Sequence, residues 1–342
     1  MNALVLEQPG HLVATEIPPP AAPGPGEALV RVHCIGVCGT DIHAHAGRQP
    51  FFTYPRILGH ELGVEVLAVG AGVANVRPGE RCAVEPYLDC GHCIACRRGR
   101  GNCCRELKVM GVHVDGGMRG QLVIPAAKLH PSAALAYEQL ALVEPLGIGA
   151  HAVQRAALEP GETVAVLGAG PIGLSVIQFA RAAGARVLVV DVNQARLAFC
   201  RERLELAAND CLDARAGEPA ALLAERTGGD MPTAVFDATG NPRSMAGAFL
   251  YPAHGGRLVF VGLFPGELTF SDPEFHRREL SVLGSRNSLP GDFRRIIGLV
   301  EAGRVDTAPW ITHRALFRDV PALFPSWTRP ETGVLKAMIE VG

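Results

Sequence analysis

The sequence predicts an α/β protein in which a mostly β domain precedes a doubly wound parallel-sheet domain. Three observations carry this expectation. The chain has 342 residues, a length that suits about two domains. Through residues 1–150, short apolar runs are separated by glycine and proline, the pattern of short strands and tight turns. From about residue 160, strand and helix patterns alternate, which builds a parallel sheet covered on both faces.

In the first domain, residues 1–150, Ala28-Leu29-Val30-Arg31-Val32 and the run Gly63 to Val69 read as strands. Pro18 to Gly26 reads as an extended loop, because proline fixes φ and removes donors. In the second, residues 151–288, Thr163 to Leu167 is the first strand and Pro171 to Ala183 the first helix. Arg186 to Val190 and Asn193 to Leu206 repeat that pair, and Ala234 to Asp237 and Arg257 to Val261 add strands. Residues 289–342 read as a helix, Phe293 to Ala302, then loops, then a last strand, Val334 to Val341. This tail is expected to return to the first domain.

Composition excludes several classes. Hydrophobic residues make up 48% and charged residues 19%, enough for large cores. A net charge of −2 implies no basic face and argues against a nucleic-acid partner. Residues 163–180 carry no charge and reach the length of a membrane span. Gly168, Gly170, Pro171 and Gly173 interrupt them, so a buried strand, turn and helix is expected and no membrane partner. The start, Met1-Asn2-Ala3-Leu4-Val5-Leu6-Glu7, lacks the features of a signal peptide. The ten cysteines are therefore expected in a reducing cytoplasm.

Cys90, Cys93 and Cys96, with Cys104 eight positions later, can wrap one tetrahedral zinc with every position filled, a structural site. The other readings are a disulfide pair or ordinary buried thiols. Close spacing without an export signal favours metal.

Gly168-Ala169-Gly170-Pro171-Ile172-Gly173 follows a predicted strand and opens a helix, and Asp191 closes the next strand. The first glycine makes a tight turn. The second lets backbone approach a pyrophosphate, and the third lets helix and strand pack closely. Asp191 can accept from both ribose hydroxyls and would repel a 2′-phosphate, so NAD is favoured over NADP. The alternative is a glycine-rich turn with no ligand. Arg196 is expected on the helix surface, although its place five residues past Asp191 bears on cofactor choice.

Cys38-Gly39-Thr40-Asp41, Gly59-His60-Glu61 and Val143-Glu144-Pro145 are each weak signals. Together they offer thiolate, imidazole and carboxylate to one ion, and three ligands leave a position open for catalysis. In order along nearly the whole chain, these motifs, Pro78-Gly79-Glu80-Arg81, the four cysteines, Asp115-Gly116-Gly117 and the glycine fingerprint resemble the zinc-dependent medium-chain alcohol dehydrogenase superfamily. The resemblance implies a GroES-like catalytic domain and a Rossmann NAD-binding domain. Glu144-Pro145 resembles the sorbitol, threonine and sugar-acid branch, and the run Gln49 to His60 resembles bacterial enzymes acting on aldonates such as galactonate.

The resemblance implies the roles. Cys38, His60 and Glu144 would hold a catalytic zinc, with Glu61 behind it as an exchangeable ligand. Asp41 would hydrogen-bond the outer nitrogen of His60. Thr40 would take the substrate proton and His43 would pass it on, with His45 a weaker substitute. Thr239 and Arg196 would join the fingerprint residues and Asp191 at the cofactor. Family spacing favours Cys104 over Cys103 in the structural site. Cys34, Cys82, Cys200 and Cys211 have no ligand-like spacing and read as structural. The family usually places a glycine four residues after the zinc histidine, whereas Gly63 is three residues on, which could shift a local turn.

The implied reaction is reversible transfer of hydride between NAD and a secondary alcohol. Cys38, Phe51, Met118 and Arg286 would line the pocket. Arg48, Arg119 and Arg286 could pair with a substrate carboxylate, or could be solvated or touch cofactor. An aldonate and a neutral polyol both remain open, a threonine-type or simple alcohol less so. Two further readings are a zinc-free quinone-type reductase, whose branch lacks these ligands, and a non-catalytic NAD-binding protein. A homo-oligomer, dimer or tetramer, is implied by resemblance.

Overall fold

The computed structural model describes residues 1–49 and 52–342. It divides into two compact units, Met1–Pro145 with Leu289–Gly342, and Leu146–Ser288. The boundary expected after residue 150 falls inside the helix Val143–Ala156.

The first unit is built around the strand Glu27–Val37. Ala28, Val30 and Val32 alternate inward and are fully buried, the period-two pattern of a strand facing a core. This strand pairs antiparallel with Glu61–Val69, Gln121–Pro125 and Lys336–Glu340. The tail thus becomes part of the central sheet, and Ile311–Leu316 extends it in parallel. Leu4, Ile35, Leu62, Val64, Phe324 and Ile339 share one core.

Gly63 displaces no turn, because it lies inside the strand Glu61–Val69. A Cβ there would stand 1.9 Å from the Tyr137 carbonyl oxygen, so the helix Tyr137–Ala141 packs directly on that backbone. The partner strand shifts register opposite it, between Val32 and Cys34.

The second unit holds a six-stranded parallel sheet in the order Cys211–Asp213, Arg186–Asp191, Thr163–Leu167, Ala234–Asp237, Arg257–Phe260, Ser281–Gly284. Ala165, Leu167, Leu188, Val235 and Leu258 fill one face. The order reverses beside Thr163–Leu167, the switch point at whose carboxyl ends open sheets of this kind bind ligands. The two edge strands are short, and Ser281–Gly284 is largely exposed, so neither left a periodic pattern to read.

Several ends move. The second helix runs Gln194–Arg203, because Asn193 caps it by accepting from the amides of Ala195 and Arg196. The later helix starts at Pro290, since Asp292 accepts from the Leu289 amide and proline tolerates the first turn. Among the described residues, no helix is long and apolar enough to cross a membrane.

Candidate metal centres and cofactor site

Three neighbouring strands and two helix starts assemble the first centre. Cys38 precedes the helix Gly39–His45, and Asp41 accepts from the Cys38 amide at 2.9 Å. His60 precedes the strand that Glu61 begins. The ligand atoms of Cys38, His60 and Glu61 all lie within 4.8 Å of one another. Glu144, in the first turn of Val143–Ala156, is outside that trio but close enough for its charge to act on His60. The structure thus brings Cys38, His60 and Glu61, three of the four expected ligands, together, with the Glu144 carboxylate acting on His60 from beside them.

The expected hydrogen bond from Asp41 to His60 is not formed. Asp41 Oδ1 and His60 Nδ1 face each other at 3.8 Å, both buried and without hydrogen-bond partners, because the other Asp41 oxygen holds the helix start. Burial opposes charge on His60, yet Asp41, Cys38 and Glu144 outweigh it and raise its pKa well above the ordinary value. Burial pushes the Asp41 and Glu144 carboxyls up. Such a buried, anion-rich cluster fits a divalent cation, which would take the place of the proton on His60.

Two partners escaped the sequence reading. The buried Tyr87 hydroxyl donates to Glu144 Oε1, and no spacing pattern links these residues. Lys336 Nζ contacts both oxygens of Glu61. Its signal was a single cation inside the apolar run Val334 to Ile339, which reads as a buried strand. Gly36 faces Glu61 across the sheet, and a Cβ on Gly36 would stand 2.0 Å from Glu61 Oε2. Glycine opens the lane in which the pair lies.

Thr40 is half-buried and His43 exposed on the same short helix. His45 is buried against Phe324, with ring centroids 5.0 Å apart, and so faces the core. Met118 is fully buried against Gly59. Arg48 and Arg286 are exposed. Arg119 is half-buried with Nε unpartnered, and burial lowers its pKa. Phe51 lies outside the described residues.

The second centre is local. The sulfurs of Cys90, Cys93, Cys96 and Cys104 lie within 4.8 Å of one another, and Cys103 is exposed outside the group. Cys93 Sγ is 3.5 Å from Cys96 Sγ and 3.9 Å from Cys104 Sγ, near the edge of about 3.8 Å that zinc–sulfur bonds of about 2.3 Å set in a tetrahedron. Amides of Cys90, Cys93 and Glu106 point at these sulfurs. The Arg105 and Cys96 amides hold the Cys93 thiol down to about 6, which favours a thiolate there, whereas burial and the hydrogen bonds with Cys93 and Cys104 push the neighbouring Cys96 up to about 12. Burial instead pushes Cys34 up to about 11 and Cys82 and Cys200 to about 12, and also raises Cys211. Those four are poor thiolates.

At the glycine turn, Gly168 has φ +90°, a conformation that favours glycine. A Cβ on Gly173 would stand 1.7 Å from the Gly168 oxygen, so helix and turn touch through backbone. Gly170 precedes the helix Pro171–Ala182, with Pro171 in its first turn and Ile172 next. Asp191 accepts from the amides of Ala169 at 2.6 Å and Asn193 at 2.7 Å. Arg196 is exposed on the helix surface, as expected, and leans toward the glycine turn. Its Nη1 is 4.0 Å from Asp191 Oδ2 and would be 3.6 Å from a Cβ on Gly170. Thr239 is exposed, and its amide and hydroxyl donate to Asp237 Oδ1.

Comparison with known proteins finds two family matches, the second of which runs past the unit boundary at Ser288. Residues 24–134 match the family described as alcohol dehydrogenase GroES-like domain, and residues 171–302 match zinc-binding dehydrogenase. L-galactonate-5-dehydrogenase of Escherichia coli K12 is 46% identical over 319 residues, 93% of this chain and 92% of that protein. L-arabinitol 4-dehydrogenase of Hypocrea jecorina is 33% identical over 330 residues, 92% and 85% of the two chains. The crystal structure of an Escherichia coli CFT073 alcohol dehydrogenase, RspB, complexed with NADH superposes with a TM-score of 0.88 at 30% identity, covering 100% of this chain and 99% of that one.

Proposed function

The chain belongs to the zinc-dependent medium-chain alcohol dehydrogenase superfamily, and on that premise we propose that it transfers hydride between NAD and a secondary alcohol of a polyol or sugar acid. The carrying observation is the convergence of Cys38, His60 and Glu61 ligand atoms within 4.8 Å, with the Glu144 carboxylate beside them.

Cys38, His60 and Glu144 would hold the catalytic zinc, and Glu61, tied to Lys336, would stand by as an exchangeable ligand. Cys90, Cys93, Cys96 and Cys104 hold the structural one. When bound, zinc and NAD supply a Lewis acid that eases ionisation of an alcohol and an acceptor for its hydride. Thr40, half-buried beside Cys38, takes the hydroxyl proton. His43, exposed on the same helix, passes it to solvent. Tyr87 orients Glu144. Gly168, Gly170, Pro171, Ile172 and Gly173 would carry the pyrophosphate of NAD, Asp191 would accept from its ribose hydroxyls, and Arg196 and Thr239 would flank it.

The identity to L-galactonate-5-dehydrogenase supports an aldonate, and the likeness to an arabinitol dehydrogenase supports a polyol. A homo-oligomer fits the edge strand Ser281–Gly284, whose Val282 is 39% exposed. A cytoplasmic setting fits a chain rich in free thiols.

The test is a cofactor-reduction screen of zinc-loaded protein with NAD and NADP, offering aldonates, polyols, threonine and simple alcohols. Turnover of an aldonate or polyol with NAD is expected. A zinc-loaded, NAD-binding protein inactive on every alcohol would overturn the reading.

A further inference from the structure

Asp237 ends the strand Ala234–Asp237 at the centre of the parallel sheet and is 0% exposed. A buried carboxylate there is costly unless its oxygens are satisfied. One oxygen accepts from the Thr239 amide at 2.9 Å and the Thr239 hydroxyl at 2.7 Å. The other accepts from the Ser244 hydroxyl at 2.7 Å. Its own carbonyl accepts from the amides of Val261 and Gly262, each at 2.9 Å. One residue thus ties down the loop that follows it and the loop that follows the next strand.

The loop after Asp237 meets the glycine turn through the Thr239 methyl group and the backbone of residues 238–239. A Cβ on Gly168 would lie 3.1 Å from Thr239 Cγ2 and 3.5 Å from the Ala238 carbonyl carbon. A Cβ on Gly262 would lie 2.5 Å from the Gly240 nitrogen, and one on Gly240 2.9 Å from the Leu263 oxygen. The turns after three adjacent strands therefore stack closely, with no room for a Cβ at Gly240 or Gly262 and with Thr239 packed on Gly168, so a shift of residues 238–240 is transmitted to Gly168. Both surfaces lie at the carboxyl ends of the strands, where this sheet binds ligands.

We infer that Asp237 is a positioning residue for the dinucleotide, setting through Thr239 and Gly240 the position of the turn that receives it. The inference rests on the reading of Gly168–Gly173 as the NAD turn. Being wholly buried, Asp237 does not touch the cofactor. Burial raises its pKa, opposed by the Ser244 and Thr239 hydrogen bonds. Acceptor geometry rather than charge is the feature that matters, so asparagine is the conservative replacement: its oxygen keeps both Thr239 bonds, and its amide donates to a rotated Ser244 hydroxyl.

The experiment is NADH titration of the zinc-loaded full chain by nucleotide fluorescence, with thermal melting in parallel. Wild type is expected to bind NADH, Asp237→Asn to bind within about threefold of it, and Asp237→Ala to bind about tenfold or more weakly, as loss of buried hydrogen bonds implies. A folded Asp237→Ala with wild-type affinity overturns the inference and leaves the NAD reading standing. Equal loss in the asparagine and alanine variants overturns it too. Should Asp237→Ala not fold, Ser244→Ala carries the test, with binding about threefold weaker expected and unchanged binding a refutation. Folded wild type that binds no NADH overturns the NAD reading itself.

Discussion

Lys336 Nζ lies 2.6 and 2.7 Å from the two Glu61 oxygens and 3.1 Å from the Val37 carbonyl, and the two side chains are 3% and 0% exposed. Lys336 opens the last strand of the chain, which pairs with Glu27–Val37. The tail thereby neutralises a carboxylate that stands against Cys38 and His60.

Removing one member leaves the other buried and uncompensated. Lys336→Met is expected to cost about 3–5 kcal/mol of stability, read from the denaturant midpoint, and the double variant with Glu61→Gln to recover most of it. An unchanged midpoint for Lys336→Met would show that the pair is dispensable.

The two metal centres differ in kind and separate by variant. His60→Ala is expected to retain about one zinc per chain, to keep NADH binding and to lose turnover, since a catalytic site needs all its protein ligands. Cys93→Ser is expected to lose the other zinc and several kcal/mol of stability, because structural zinc binding is folding free energy. Elemental analysis with thermal melting checks both. A Cys93→Ser protein as stable as wild type and short of one zinc contradicts the structural role.

Arg196 reaching over Gly170 makes Asp191 the main barrier to NADP. Asp191→Ser removes the negative charge and leaves a guanidinium beside the 2′ position, as in sites that accept the phosphate. The ratio of kcat/KM for NADP to that for NAD is expected to rise by about 100-fold, a change of about 2.7 kcal/mol. Lost bonds to Ala169 and Asn193 should also lower stability by about 1–3 kcal/mol. An unchanged ratio would remove Arg196 from cofactor selection.

Glu162 gives a pH test remote from either metal. Burial opposes its ionisation, but Arg257 Nη2 at 2.6 Å, with Thr233 and the Glu159 amide, outweighs burial and holds its pKa below the usual carboxylate range. A depressed folded-state pKa gives stability that is present above the unfolded value, about 4.3, and lost as pH falls through the folded one. The stability difference between wild type and Glu162→Gln is expected to be about 1–3 kcal/mol and constant from pH 6 to 8. It should shrink steadily below about pH 4. A difference that persists undiminished at pH 3 would rule out the ion pair as its source.

What the sequence by itself determined is local. Cys90, Cys93 and Cys96 are near in the chain, so the shape of their site is written in their spacing, and the glycine turn is a strand, three residues and a helix in succession. Period-two and period-3.6 patterns located the main strands and helices, but not the short edge strands Cys211–Asp213 and Ser281–Gly284, which bury too little to leave a pattern. What only the tertiary structure decided depends on strand pairing across long separations. Lys336 and Glu61 are 275 residues apart, and Tyr87 and Glu144 are 57 apart. The side chain of Arg196 is on a helix that either orientation would satisfy, so only its neighbours choose. Gly36 and Gly63 are small because of what approaches them, Glu61 and the Tyr137 backbone. A residue's spacing from its chain neighbours is legible in the sequence, but its partner across a sheet is set by register, and register emerges only when the whole core packs.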